Sequence, residues 1–250
     1  MNLPQWRPAD QAGELVAHTI DVWRVNLNPP RYDKLKQDIS LFSTDELERG
    51  QRFRFDRHRR QYLVGRGALR QILSRYCNLQ PGKIEFSYGE FGKPFLKESP
   101  IAFNLSNSHD QAIIAITLGP RIGADVEFRE RHIWDVDALA KSVFTETEQA
   151  QLNSYSQKDR LVPFLSGWTR KEAYLKGVGK GLALPLKDFS VDLANAAEYP
   201  YISVREWQLK SFWSADDYLA AIAYPASMGS PSFRWFEWTL SHFDKIHRKK

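Results

Sequence analysis

Cysteine is almost absent: Cys77 is the one cysteine in 250 residues, and there are two methionines. A single thiol cannot close an internal disulfide or supply a cysteine-based metal cluster, and Cys77 lies in an amphipathic segment where it reads as core. Long hydrophobic runs are missing too. Mean hydropathy is −0.49, and no stretch approaches the roughly 18 uninterrupted apolar residues that a membrane helix requires. The opening Met1-Asn2-Leu3-Pro4-Gln5-Trp6 has neither the basic start nor the apolar run of a secretion signal, so a cytoplasmic protein with no membrane partner is expected. Charge is not lacking. Lys and Arg number 35 against 30 Asp and Glu, a net +5, with 42% hydrophobic and 26% charged residues. That is the composition of a folded soluble chain, long enough for one large domain or two of roughly 125 residues. Only the tail His247-Arg248-Lys249-Lys250 is expected to be unstructured.

Periodicity predicts a helix from Asp45 to Phe55, capped by Ser43-Thr44-Asp45-Glu46, and a second from Arg60 to Tyr76. After Pro81-Gly82 the texture changes to short strands at Ile84–Phe86 and Ile101–Phe103, with a turn at Phe91-Gly92-Lys93-Pro94 between them. The β-branched run 112–117 reads as a buried strand, and Gly119-Pro120-Arg121 separates it from a strand over 122–127, as a hairpin turn or a domain junction. Helices are expected over 136–152 and 161–175, then strands at 188–193, 202–209 and 218–223. Helices followed by strands, twice, give an α+β fold of two similar-sized, pseudo-symmetric halves, residues 1–117 and 118–250.

Several groups of residues bear on chemistry. Eight arginines (49, 52, 54, 57, 59, 60, 66 and 70) stand with His58 and a single acid, Asp56, in a stretch that would suit phosphate, nucleic acid or an acidic protein, or form a solvated basic face. Asp125 and Glu127 are two apart on a strand and so project from one face, an arrangement that gains from a cation between them. Trp168, Glu172 and Lys176, four apart, share one helical stripe. Gly177-Val178-Gly179-Lys180-Gly181 lacks the Ser or Thr and the upstream glycine of a phosphate loop, which excludes a Walker-type site. His109 near Ser106 and Ser108 has no nucleophile elbow around it, which argues against acyl-hydrolase chemistry.

Taken in order, Phe91-Gly92-Lys93-Pro94, Phe103-Asn104-Leu105-Ser106, Gly123-Ala124-Asp125-Val126-Glu127 and Trp168 to Lys176 resemble the motifs of the 4′-phosphopantetheinyl transferases, within them the larger Sfp-type enzymes. The resemblance spans roughly residues 43–191 and implies an active site at the junction of the two halves. It implies an enzyme that moves the phosphopantetheine arm of coenzyme A onto a serine of an acyl or peptidyl carrier protein of fatty acid, polyketide or nonribosomal peptide synthesis, releasing adenosine 3′,5′-bisphosphate. It further implies Mg²⁺ held by Asp125, Glu127 and Glu172, with Glu172 as general base and Lys176 neutralising the diphosphate, and Lys171 as a second candidate for that task. Arg60, Lys93, Pro94, Ser106 and Asn107 would hold coenzyme A, with Arg52 and Arg66 as competitors for Arg60. The family carries His where this chain has Asn107, which leaves His109 as a candidate for partial replacement. The segment Val143–Glu148 is a candidate carrier contact or a capped amphipathic helix. Pseudo-symmetry within one chain points to a monomer. Two other classes are a nucleic-acid binder using the arginines, for which no motif is present, and a paralogue that binds coenzyme A without transferring it.

Overall fold

A computed structural model describes residues 3–30, 32–119, 121–130, 135–195 and 200–240. The expected disordered tail 247–250 and Pro120 of the predicted turn lie outside these residues. The strands are β1 (Arg7–Pro8), β2 (Thr19–Asn26), β3 (Ser87–Tyr88), β4 (Pro94–Phe95), β5 (Ile101–Ser108), β6 (Gln111–Leu118), β7 (Gly123–Phe128), β8 (Tyr201–Val204), β9 (Trp207–Ala215), β10 (Tyr218–Pro225) and β11 (Ser232–Trp238). The α-helices are α1 (Tyr32–Gln37), α2 (Thr44–Gln51), α3 (Asp56–Cys77), α4 (Val136–Val143), α5 (Glu146–Asn153) and α6 (Leu161–Val178).

The first sheet has the order β1-β11-β2-β6-β5 and the second β7-β10-β9-β8. The interior strand β6 explains the layering. Its Ala112, Ile114 and Ile116 join α3 residues Leu69, Ile72 and Leu73 in one core, while Ile113 and Ala115 join Val126, Ala220 and Ile222 of the second sheet in another. Strand alternation thus sends one set of side chains to a helix and the next to the other sheet. On the far side, α6 packs Leu165, Ala173 and Leu175 against Leu209, Leu219 and Ala221. The result is four layers, α3, sheet, sheet and α6, that is, two similar halves of mixed helix and sheet.

Strands β6 and β7 belong to different sheets, so they do not form a hairpin. The boundary at 117/118 does not extend through the whole chain, because β11 returns to the first sheet and lies parallel to β2. Arg234 of β11 fastens it there, donating to both carboxylate oxygens of buried Asp21 at 2.6 and 2.7 Å. The strand expected at 188–193 is absent. Its amides bond to side chains of α5 in place of a ladder, Val191 N to Glu148 Oε1 at 2.7 Å and Leu193 N to Gln151 Oε1 at 3.1 Å. The strand expected at 202–209 is a hairpin of β8 and β9, turning at Arg205 with φ 51°. Cys77 is half-buried against the first core.

The arginine-rich stretch is less naked than its sequence implies. Glu46, which also caps α2 by accepting the Ser43 amide at 3.0 Å, receives Arg66 and Arg70, each at 2.6 Å. Arg59 pairs with Asp56, and Arg57 with Asp110 at 3.3 Å. The compensating acids come from before the stretch and from the β5–β6 turn, so local sequence counting misses most of them.

Candidate active site

Strands β5 and β7, each at the end of its sheet, run side by side. Asn104, Ser106 and Ser108 alternate along β5 and therefore share a face. They cross the seam: Asn104 Oδ1 accepts the Ala124 amide at 2.8 Å, Ser106 Oγ donates to Asp125 Oδ1 at 2.9 Å, and Ser108 Oγ donates to Glu127 Oε2 at 2.8 Å. Side chains thus replace a backbone ladder between the sheets. The stitching role of Asn104 and Ser108 was missed in the sequence, although their two-residue spacing carried the signal.

Helix α6 closes the other side of β7. A Cβ on Gly123 would lie 2.0 Å from the Ala173 carbonyl oxygen and 2.4 Å from the Gly177 amide, so strand and helix backbones touch. Only glycine permits this approach, and it brings the stripe Trp168, Glu172, Lys176 against the carboxylates of β7. Trp168 Nε1 donates to Glu127 Oε1 at 3.0 Å. Lys176 Nζ donates to Asp125 Oδ1 at 2.6 Å and to Ser106 Oγ at 2.8 Å.

Burial is the main reason the Asp125 carboxyl is pushed up to about 6, with the charges of Glu127 and Glu172 adding to it and Lys176 opposing. Glu172 is raised as well, again mainly by burial, with Lys176 opposing and Glu127 adding. Asp125 thus feels the charges of both other acids, and Glu172 that of Glu127. Asp125 Oδ2 is buried with no hydrogen-bond partner. Hard carboxylate oxygens, one of them unclaimed, are the donor chemistry Mg²⁺ takes, and they fit it. The trio is not preassembled: among the described residues no group of three or more His, Cys, Asp or Glu side chains is placed to hold a metal ion. The cation at Asp125 is the Lys176 ammonium.

A cavity of about 220 Å³ opens beside Glu172 and Lys176, walled by Phe91, Gly92, Lys93, Pro94 and Leu105 together with Gly179 and Gly181. Lys93 reaches the cavity wall with its ammonium group engaged elsewhere, donating to the carbonyl oxygens of Ile122 at 2.8 Å and Lys176 at 2.5 Å. Burial, helped by the Arg121 charge, lowers its pKa to about 8. Lys93 thereby ties the β3–β4 hairpin to β7 and the end of α6.

The remaining expected residues lie apart from this cavity. Arg60 donates to Asn28 at 2.8 Å, covers the Tyr32 ring and, with Arg57 and His109, lines a second cavity of about 420 Å³. His109 has φ 48° in the β5–β6 turn and stacks on Phe128 at 4.6 Å. Arg52 is exposed after α2, 3.9 Å from Glu48. Asn107 is exposed and, by alternation, projects from β5 opposite Ser106. Arg66 is held by Glu46, as described. One expectation is corrected. Lys171 is 0% exposed, its ammonium held by Glu148 at 2.9 Å and by the carbonyl oxygens of Leu186 and Phe189, so it lies in the core and does not line the cavity. One residue before Glu172 on a helix means about 100° away around the axis, enough to turn Lys171 into the core. In Val143–Glu148, Val143, Phe144 and Glu148 are buried and Thr145 caps α5, so the segment contains the expected capped helix start.

Both halves match known families. The model of the 4′-phosphopantetheinyl transferase superfamily matches residues 121–223, and that of the 4′-phosphopantetheinyl transferase N-terminal region matches residues 28–118. The chain is 34% identical over 232 residues to the 4′-phosphopantetheinyl transferase HetI of Nostoc sp., covering 91% of this chain and 97% of HetI. It is 32% identical over 166 residues to Sfp of Bacillus subtilis, covering 66% and 72% respectively. With AcpT of Escherichia coli O157:H7 it shares 37% over 123 residues, 48% of this chain and 58% of AcpT. No described helix is long and apolar enough to cross a membrane. Matched along both halves and over nearly the full length of one relative, this chain belongs to the 4′-phosphopantetheinyl transferase superfamily and is a transferase of that kind.

Proposed function

We propose that this transferase moves the 4′-phosphopantetheine arm of coenzyme A to a serine hydroxyl of an acyl or peptidyl carrier protein of fatty acid, polyketide or nonribosomal peptide synthesis, in the cytoplasm and as a monomer, with Mg²⁺ as the required ion and adenosine 3′,5′-bisphosphate as the second product. The observation that supports this reading is Lys176 on Asp125 at the β5–β7 seam, within reach of the charges of Glu127 and Glu172, with Asp125 Oδ2 buried and unpartnered. Asp125, Glu127 and Glu172 are the residues that would hold Mg²⁺, which when bound supplies Lewis-acid stabilisation of charge on the diphosphate.

The reaction forms a bond from the serine oxygen to the phosphorus bearing the pantetheine arm and breaks that phosphorus's bond to the bridging oxygen of the diphosphate. Glu172 takes the serine proton. Its raised pKa brings it closer to the working pH, where a general base is typically worth about 10²–10⁴-fold. Lys176 offsets the negative charge that the departing bisphosphate gains. Pro94 and the stem of Lys93 line the cavity where coenzyme A would lie, and Ser106 orients Lys176. Arg52, Arg60 and Asn107 would reach the nucleotide phosphates only from outside that cavity, so their part is recognition at a distance from the reacting bond.

Mass spectrometry of an apo carrier protein incubated with coenzyme A, MgCl₂ and the transferase is expected to show the added arm. Glu172→Ala and Asp125→Ala are expected to abolish it while near-ultraviolet circular dichroism stays native. Retained turnover in either variant refutes the site.

A further inference from the structure

We propose that Lys176 is the resident counter-ion of Asp125 in the free protein, and that it yields this carboxylate to a divalent cation only when a diphosphate is present to receive its ammonium group. The inference rests on the metal reading of Asp125, Glu127 and Glu172 given above and adds the order in which ligands arrive.

The ammonium donates to Asp125 Oδ1 and Ser106 Oγ, and the serine hydroxyl donates to that same Oδ1. A metal approaching Asp125 therefore finds one oxygen claimed twice and only Oδ2 open. With Lys176 in place no metal-ready set of ligands exists among the described residues. If Lys176 stays where it is, an arriving dication sits against an ammonium in a buried seam, where like charges repel strongly. Were Lys176 merely expelled, its charge would lose the carboxylate that balances it.

A diphosphate resolves both conditions. Lys176 and Glu172 both border the cavity, and the Lys176 side chain is 30% exposed, so rotation about its own bonds can carry Nζ from Asp125 towards a ligand there. Lys93, the other ammonium nearby, cannot take over at Asp125, because it is committed to the carbonyl oxygens of Ile122 and Lys176. Free protein thus binds Mg²⁺ weakly and coenzyme A strengthens it. By linkage, Mg²⁺ strengthens coenzyme A binding by the same factor.

Calorimetric titration of MgCl₂ into the full chain at pH 8, with and without saturating coenzyme A and with coenzyme A alone as blank, tests this. Lys176→Met is expected to bind Mg²⁺ in the absence of coenzyme A at least about tenfold more tightly than wild type, the scale of one lost charge-assisted hydrogen bond. Coenzyme A is expected to tighten Mg²⁺ binding far more in wild type than in this variant. Ser106→Ala removes one of the two acceptors of the ammonium and is expected to shift free Mg²⁺ binding the same way by a smaller factor. It serves alone if Lys176→Met does not fold. Wild-type protein that binds Mg²⁺ as tightly as the folded variant overturns the exchange and leaves the metal site standing. No Mg²⁺ binding in any protein, with or without coenzyme A, overturns the metal reading and the exchange with it.

Discussion

Gly123→Ala tests how the carboxylates of β7 are delivered to α6. The added methyl would stand 2.0 Å from a carbonyl oxygen and 2.4 Å from an amide nitrogen, short of ordinary van der Waals contact by about an ångström or more. Both obstacles are backbone atoms, so no rotamer change relieves the clash, and the strand must part from the helix. Overpacking of this kind costs about 1–3 kcal/mol, and the depth of the clash argues for the upper end. For a chain of this size each kcal/mol is worth about 2–4 °C, so the melting temperature is expected to fall by roughly 6–12 °C. Parting the two elements also separates Glu172 from Asp125, and a 1 Å misplacement of catalytic groups can cost about 10²-fold. Urea denaturation and carrier modification followed by mass spectrometry read the two effects. A variant within about 0.5 kcal/mol of wild type with full turnover refutes the claim that this contact sets the site.

Burial raises the Asp125 carboxyl from its ordinary 3.8 to about 6, so between those values the folded state holds the proton more tightly and stability falls as pH rises. Without metal, Asp125→Asn is therefore expected to gain stability relative to wild type across pH 4 to 6, by about 3 kcal/mol at most. That ceiling is the price of the full shift. Urea midpoints in EDTA at pH 4 and pH 7.5 that move in parallel for both proteins contradict this. Lys171→Met leaves Glu148 charged and buried and is expected to cost about 3–5 kcal/mol, with part regained in Lys171→Met/Glu148→Gln. Folded Lys171→Met enzyme is expected to keep its KM for coenzyme A, and a tenfold rise would restore Lys171 to the site.

Much of the site was legible because strand and helix spacings fix which side chains share a face. Asp125 with Glu127, and Trp168 with Glu172 and Lys176, needed only periods of two and of about four. Which partner each would meet was not legible. That Lys176 rests on Asp125, or that Lys93 spends its ammonium on carbonyl oxygens, depends on residues 51 and 83 positions away. In the fold, β6 could be read from its unbroken β-branched run, whereas β2 and β11 were missed. Their polar residues look wrong for central strands until Asp21 and Arg234 are seen to satisfy each other. The segment 188–193 has strand-like apolar content, but its amide donors were already claimed by Glu148 and Gln151.

The passage of β11 between β1 and β2 makes synthesis order matter. During translation β2 emerges early, with an open edge that stays unpaired until some two hundred further residues have been made. An open edge of this kind is a template for mispairing with other chains. A nascent chain stalled before Ser232 would thus carry a first half that cannot close, and separately expressed fragments split near residue 118 would inherit the same defect. Adding a peptide of residues 230–240 to such a truncated protein is the direct way to supply what the missing strand provides.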